Sequence, residues 1–182
     1  GFVDMCYKLR TLVEVPRETE QENADFLHNF GAAPLLNYNT YTQVKSCAQQ
    51  IIRQQEETIF VYGTGFSGTV GEYLYRKLIN MGKHCLFASG ADSVGIFENR
   101  MGMFFCISKS GETALVRDKI KTARENGVFT VAITGDQANS VGQFADIWFR
   151  VEDLWKLDDL NVMPNTFFPQ TMMLMELIAY EY

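Results

Sequence analysis

The chain has only two histidines, His28 and His84, and four cysteines with no C-x-x-C pair among them. That scarcity removes most metal-centre and thiol chemistry. Cys6, Cys47, Cys85 and Cys106 are scattered, and they show neither a zinc-ligand spacing nor a disulfide framework. Cys85 and Cys106 sit in apolar, strand-like runs and read as buried thiols. Both histidines read as structural. No paired carboxylates show an evident acid/base spacing, so no catalytic residue, metal or cofactor is expected. No apolar run approaches the ~20 residues that cross a bilayer. No leader peptide, internal repeat or low-complexity tract is visible. Positive charge is short as well, with 16 Lys and Arg against 22 Asp and Glu and a net charge of −6. An acidic chain is a poor nucleic-acid binder through its own surface. A cytoplasmic chain without membrane contact is expected, and its start at Gly1 reads as that of a fragment or a processed chain.

What is present is apolar bulk. Of 182 residues, 47% are hydrophobic and 13% aromatic, which excludes a disordered chain and suits one domain with a substantial core plus a short extra segment. Phe2, Met5, Cys6, Leu9, Leu12 and Val13 recur at helical spacing, and Pro16 ends that stretch. A polar linker follows, then a second helix around Phe26, Leu27 and Phe30, then a longer one over 41–57. From Thr58 the pattern changes. Strands are expected at 58–62, 84–88, 103–107, 128–134 and 147–151. Helices are expected at 67–81, 92–99 and 114–126, a helical turn at 140–144, and a last Met-rich helix at 166–182. Gly127 stands where a helix C′ glycine belongs. Strand and helix alternating in this way predict an α/β fold: a five-stranded parallel sheet flanked by helices, doubly wound and flavodoxin-like, with extra N-terminal helices.

Two strand-to-helix turns carry the chemistry. The third strand runs into Ser108-Lys109-Ser110-Gly111-Glu112-Thr113. A helix start offers unpaired N–H groups and the positive end of the macrodipole. Hydroxyls added there make a site for a small anion, most often phosphate. Ser110 or Thr113 could instead be a simple cap, but two serines and a threonine exceed what a cap needs. Lys109 either adds positive charge for a phosphate or points into solvent, and Glu112 fits an early helical acid that complements the dipole. The first strand ends in Gly63-Thr64-Gly65-Phe66-Ser67-Gly68, where glycines admit a ligand close to the backbone and Ser67 opens the helix. Those glycines also spell the dinucleotide fingerprint G-x-G-x-x-G. That reading lacks its acid at the end of the second strand, where Ser89 precedes Asp92 by three residues. In a 2-1-3-4-5 strand order the first and third strands are neighbours, and both turns would face one crevice.

These residues resemble the sugar isomerase (SIS) domain. Gly63-x-Gly65-x-Ser67 is similar to its first motif and Ser108-x-Ser110-Gly111-x-Thr113 to its second, with Ala132-Ile133-Thr134 and Ala145-Asp146 as later landmarks. The resemblance implies a phosphosugar pocket over Gly63, Gly65, Phe66, Ser67, Ser108, Lys109, Ser110, Gly111 and Thr113. Gly1 to Leu9 further resembles the GF-x-E-x-K-x-x-L stretch that closes the helix-turn-helix domain of RpiR-type regulators. It implies residues 1–15 as the tail of a DNA-binding domain absent from this chain, 16–40 as linker and short helix, and 41–182 as the SIS domain. The implied role is a non-enzymatic phosphosugar sensor that reaches operator DNA only through that absent domain. The alternative is an SIS-type phosphosugar isomerase, with Glu98, Glu112, Glu152 or a group from a partner subunit as candidate acid/base groups. A homodimer is expected, because Phe167, Phe168, Met172, Met173, Leu174, Met175, Leu177 and Ile178 cover more than one face of the last helix.

Overall fold

The computed structural model describes residues 33–90 and 101–182. The expected helices around 2–13, 26–30 and 92–99 lie outside those residues, as does Glu98. The compact unit Pro34–Tyr182 contains five parallel strands: β1 Thr58–Gly63, β2 Cys85–Ser89, β3 Met101–Ser108, β4 Phe129–Gly135 and β5 Ile147–Val151. Their order is β2-β1-β3-β4-β5, the expected doubly wound arrangement. β1 and β3 run side by side from Ile59 opposite Met103 to Gly63 opposite Ile107. Their C-terminal turns therefore emerge together.

The helices are α1 Tyr41–Arg53, α2 Gly65–Asn80, α3 Ala114–Glu125 and α4 Phe167–Glu181. α1 begins in a capping box. Thr40 Oγ1 accepts from Gln43 N at 3.2 Å, and Gln43 Oε1 accepts from Thr40 N at 2.7 Å. It buries Val44, Cys47, Ala48 and Ile51, an i, i+3, i+4, i+7 stripe. It ends at Arg53, short of the expected Glu57, because Gln54 to Glu57 supply no apolar side chain to continue that stripe. α3 ends in a Schellman turn as expected: Gly127 at φ +75° donates to Arg124 O, and Val128 N donates to Ala123 O at 3.1 Å.

α3 covers one sheet face, where Val116, Ile120 and Ala123 pack with Phe60, Tyr62, Phe104 and Cys106. α2 covers the other face, and Gly71 lets it approach closely. A Cβ built there would lie 3.2 Å from the Phe87 ring and 3.5 Å from Val61. α4 packs against both α1 and α2. Phe167, Leu174, Met175, Leu177 and Ile178 are buried there, while Phe168, Met172 and Met173 of the same apolar set stay half-buried. The free edge of β5 is covered by side chains: Gln43 Nε2 donates to Trp148 O at 3.3 Å, and Asn39 meets Arg150. Asn39 Nδ2 donates to Arg150 O at 2.7 Å, and Asn39 Oδ1 accepts from Arg150 N at 2.8 Å. That amide acts as a one-residue strand on an edge that would otherwise expose unpaired backbone.

Candidate phosphate-binding cleft

The turns after β1 and β3 meet as the strand order requires. Thr64 is the extended N-cap of α2, with φ −118°. Gly65 takes φ +55°, and Ser67 lies in the first helical turn with only 6% of its surface exposed. Gly63 has no room for a side chain, since a Cβ there would lie 2.7 Å from Ser67 O. From the facing turn, Lys109 N donates to Ser67 Oγ at 3.4 Å. That contact joins the two motifs.

The second turn rests on a buried polar network. Ser108 is buried. Its Oγ accepts from Gly111 N at 3.2 Å and lies 3.2 Å from Thr113 Oγ1. Gly111 has φ +66° and sits directly over Asn139, so that a Cβ built on it would lie 2.6 Å from Asn139 Cβ. Asn139 is itself held on three sides, by Thr134 Oγ1, Gln137 O and Gly142 N, each at 2.8 Å. Thr134 Oγ1 also accepts from Trp148 Nε1 at 2.7 Å. Val141 N donates to Gly111 O at 2.9 Å. Glu112 binds Ser140 through its backbone N at 2.8 Å and its hydroxyl at 2.5 Å. Those two hydrogen bonds hold the Glu112 carboxyl below the usual range. The acid expected to serve the helix dipole thus splices two loops. Ser110 Oγ accepts from Glu112 N at 3.2 Å. Thr113 is the N-cap of α3 but makes no side-chain cap bond; its hydroxyl lies against Ser108 Oγ instead.

Between the two turns lies a cleft of about 390 Å³. Six of the nine expected residues line it: Gly65, Phe66, Ser67, Lys109, Ser110 and Thr113. The other three, Gly63, Ser108 and Gly111, stand behind and shape it. The unpaired N–H groups that open α2 and α3 point the positive ends of two helices at this space. Lys109 does not point into solvent, and its ammonium is engaged by the loop above the cleft. Its ammonium donates to Asp158 O at 2.8 Å and Asn161 Oδ1 at 2.9 Å, with Asp153 Oδ2 3.9 Å away. Its side chain is 12% exposed.

The remaining wall is one the motif reading did not anticipate: Lys156, Asp158, Asp159, Leu160 and Asn161, with Phe168 at the start of α4. Phe168 stacks obliquely on Phe66, ring centres 5.7 Å apart. The Asp158 carboxylate accepts from Met163 N at 2.8 Å and Val162 N at 3.1 Å, which lowers its pKa. Lys156 pairs with Asp136 at 3.0 Å. The signal that could have drawn notice to this wall is length. Fifteen residues separate Val151 from Phe167 without a helix or strand, and such loops in compact domains are commonly functional. Among the described residues, no group of three or more His, Cys, Asp or Glu is placed to hold a metal. No helix there is long and apolar enough to cross a membrane. His84 immediately precedes β2, at the end of the sheet away from the cleft.

The SIS domain family matches residues 51–180, a span that contains both turns and the loop wall. The chain belongs to the SIS domain family. Solved structures of the same fold include a candidate sugar-phosphate isomerase of Listeria monocytogenes, 17% identical with 90% of each chain covered and a TM-score of 0.69. The sugar isomerase domain of an RpiR transcription factor from Sphaerobacter thermophilus is also 17% identical, covers 89% of each chain and gives 0.68. The NanR protein of Vibrio vulnificus complexed with ManNAc-6P is 16% identical over 98% of this chain and 65% of its own, at 0.67. The SIS domain thus serves both regulators and isomerases. The chain spans 38%, 34% and 53% of the lengths of the curated relatives it matches. The first is a Chlamydia trachomatis protein 28% identical over 127 residues, 66% of this chain.

Proposed function

We propose that this SIS domain is the phosphosugar-sensing part of a DNA-binding transcriptional regulator. The observation that carries the ligand is the meeting of two helix N-termini across one cleft, with Ser67, Ser110 and Thr113 in its walls. Phosphate suits that combination of N–H groups, hydroxyls and positive helix ends. The 390 Å³ cleft has room for a sugar beyond the phosphate. The V. vulnificus NanR protein, of the same fold, is complexed with ManNAc-6P, which supports the class without naming the ligand here.

Sensing is favoured over turnover by the state of the carboxylates. Isomerisation needs a free acid/base beside the sugar C1–C2 atoms. Glu112 is committed to Ser140, and Asp158 to the backbone of its own turn. Glu152 does not line the cleft. Among the described residues, the exposed Asp159 in the cleft wall favours the isomerase alternative, as does the likeness to a candidate sugar-phosphate isomerase. DNA contact is assigned to a helix-turn-helix region of which residues 1–15 resemble the tail, with 41–182 as the sensing domain, acting as a homodimer in the cytoplasm.

The test is a thermal-shift and calorimetric panel of hexose, hexosamine and N-acetylhexosamine phosphates, each beside its unphosphorylated sugar. A true ligand at a hundredfold excess over its dissociation constant stabilises the fold by about 2.7 kcal/mol. Equal shifts with and without phosphate would remove the phosphate site. Conversion of any bound sugar phosphate would establish the isomerase instead.

A further inference from the structure

We propose that Lys109 is a latch: it holds the 153–163 segment against the phosphate turns, and an anion in the cleft draws it away. The coupling rests on the phosphate reading of the cleft, whereas the latch itself does not. The root of Lys109 is fixed. Its backbone N bonds Ser67 Oγ, and its carbonyl accepts from Gly135 N at 3.0 Å. The base of the segment is fixed too. Asp153 is 5% exposed, and its Oδ1 accepts from Asn165 Nδ2 at 2.7 Å and Trp155 N at 3.1 Å. The tip is different. Leu157, Leu160 and Val162 are 95%, 80% and 76% exposed, so apolar packing does little to seat it. The polar bonds of the tip to the phosphate turns are those of the Lys109 ammonium with Asp158 O and Asn161 Oδ1.

An ammonium has three N–H donors, and Lys109 spends two on neutral acceptors. Those bonds are already charge-assisted on the donor side, but a phosphate dianion adds the attraction of a full opposite charge, which a neutral carbonyl or amide oxygen lacks. A phosphate held by Ser67, Ser110 and Thr113 shares the cleft with that ammonium and competes for it on favourable terms. The same dianion repels the carboxylates of Asp158 and Asp159 on the tip. Lys156, also in that wall, is attracted instead, but its ammonium is tied to Asp136 at 3.0 Å; loss of the Lys109 bonds and repulsion of the two carboxylates outweigh it, so occupancy releases the tip. By linkage, a seated tip weakens phosphate binding by the same factor.

The chain carries its own reporter. Its two tryptophans are Trp148 in β5 and Trp155 in the segment. In a Trp148→Phe background, acrylamide quenching reads Trp155 alone. Trp155 stands where the fixed base meets the tip and is 45% exposed when the tip is latched, so release of the tip above it raises its quenching by at most about twofold. Lys109→Met is expected to give that rise without any ligand, and Lys109→Arg, which keeps charge and donors, to stay near the parent. Inorganic phosphate and glucose 6-phosphate, titrated into the parent, are expected to move quenching saturably toward the Lys109→Met value. Calorimetry on the same samples reports binding separately. Parent-like quenching in Lys109→Met overturns the latch. Calorimetric binding with unchanged quenching overturns the coupling and leaves the cleft reading intact. A chain that binds neither phosphate nor any sugar phosphate overturns the cleft reading and the coupling with it, while the ligand-free comparison still decides the latch.

Discussion

Gly111→Ala is the perturbation that tests how the turn after β3 is built. Two costs meet at this residue. The first is conformational, because φ is +66° and a left-handed backbone costs an L-residue ~1–2 kcal/mol. The second is steric and falls on the Asn139 side chain, whose Cβ would stand 2.6 Å from the new methyl. Asn139 is 4% exposed and bonded on three sides, so it yields only by giving up hydrogen bonds. A buried polar group left unsatisfied costs ~1–3 kcal/mol. Together they predict a loss of about 3 kcal/mol, or ~6–12 °C in Tm for a domain of this size.

Gly127→Ala is the internal control. Gly127 has nearly the same backbone, φ +75°, but nothing lies within 4 Å of a Cβ built there. It should lose only the conformational part, ~1–2 kcal/mol. Urea titrations of both variants, with unchanged slopes, measure the difference. Gly111→Ala should also lose sugar-phosphate affinity, since Gly111 lies between Ser110 and Thr113, whereas Gly127→Ala should keep it. Equal stability losses in the two variants would refute the packing of Gly111 on Asn139.

Three further outcomes follow from the geometry. Ser67→Ala, Ser110→Ala and Thr113→Ala should each weaken sugar-phosphate binding by about 1–3 kcal/mol with little effect on urea stability, whereas Ser108→Ala should cost stability as well; normal binding by Ser67→Ala beside a loss in Ser110→Ala would separate the two turns. Asn39→Ala strips Arg150 of both edge partners and should cost about 2–4 kcal/mol in a denaturant titration; a loss below about 1 kcal/mol would show that solvent replaces the amide freely. Glu112 has a lowered pKa in the folded chain, so its bonds to Ser140 add stability above its unfolded pKa, and that contribution disappears as pH falls through the folded value. Glu112→Gln should therefore flatten stability against pH in the acid range, and an unchanged acid limb would show that the splice contributes nothing measurable.

The sheet was legible because burial on both faces leaves a strong trace. β1 and β3 are near-continuous apolar runs, the pattern of central parallel strands. The paired turns were legible because glycine and hydroxyl residues cluster at fixed offsets from strand ends, and parallel neighbours bring those ends together. Strand ends were harder. β3 begins at Met101 and extends to Ser108 because backbone pairing with Thr58 and Thr134 outlasts the apolar run. Lys109 and the cleft's outer wall were not legible, for a physical reason. Motif spacing reports local backbone geometry, but the fate of a long cationic side chain depends on what crosses above it. Here that is a loop more than forty residues later, whose polar and apolar residues have no period. The lysine between the two serines therefore reads locally as a phosphate ligand or a solvated cation, and only the fold shows it bound to a third partner. On the proposed reading, a phosphate in the cleft competes with that partner for the ammonium, and the candidate anion site would thereby move the loop that covers it.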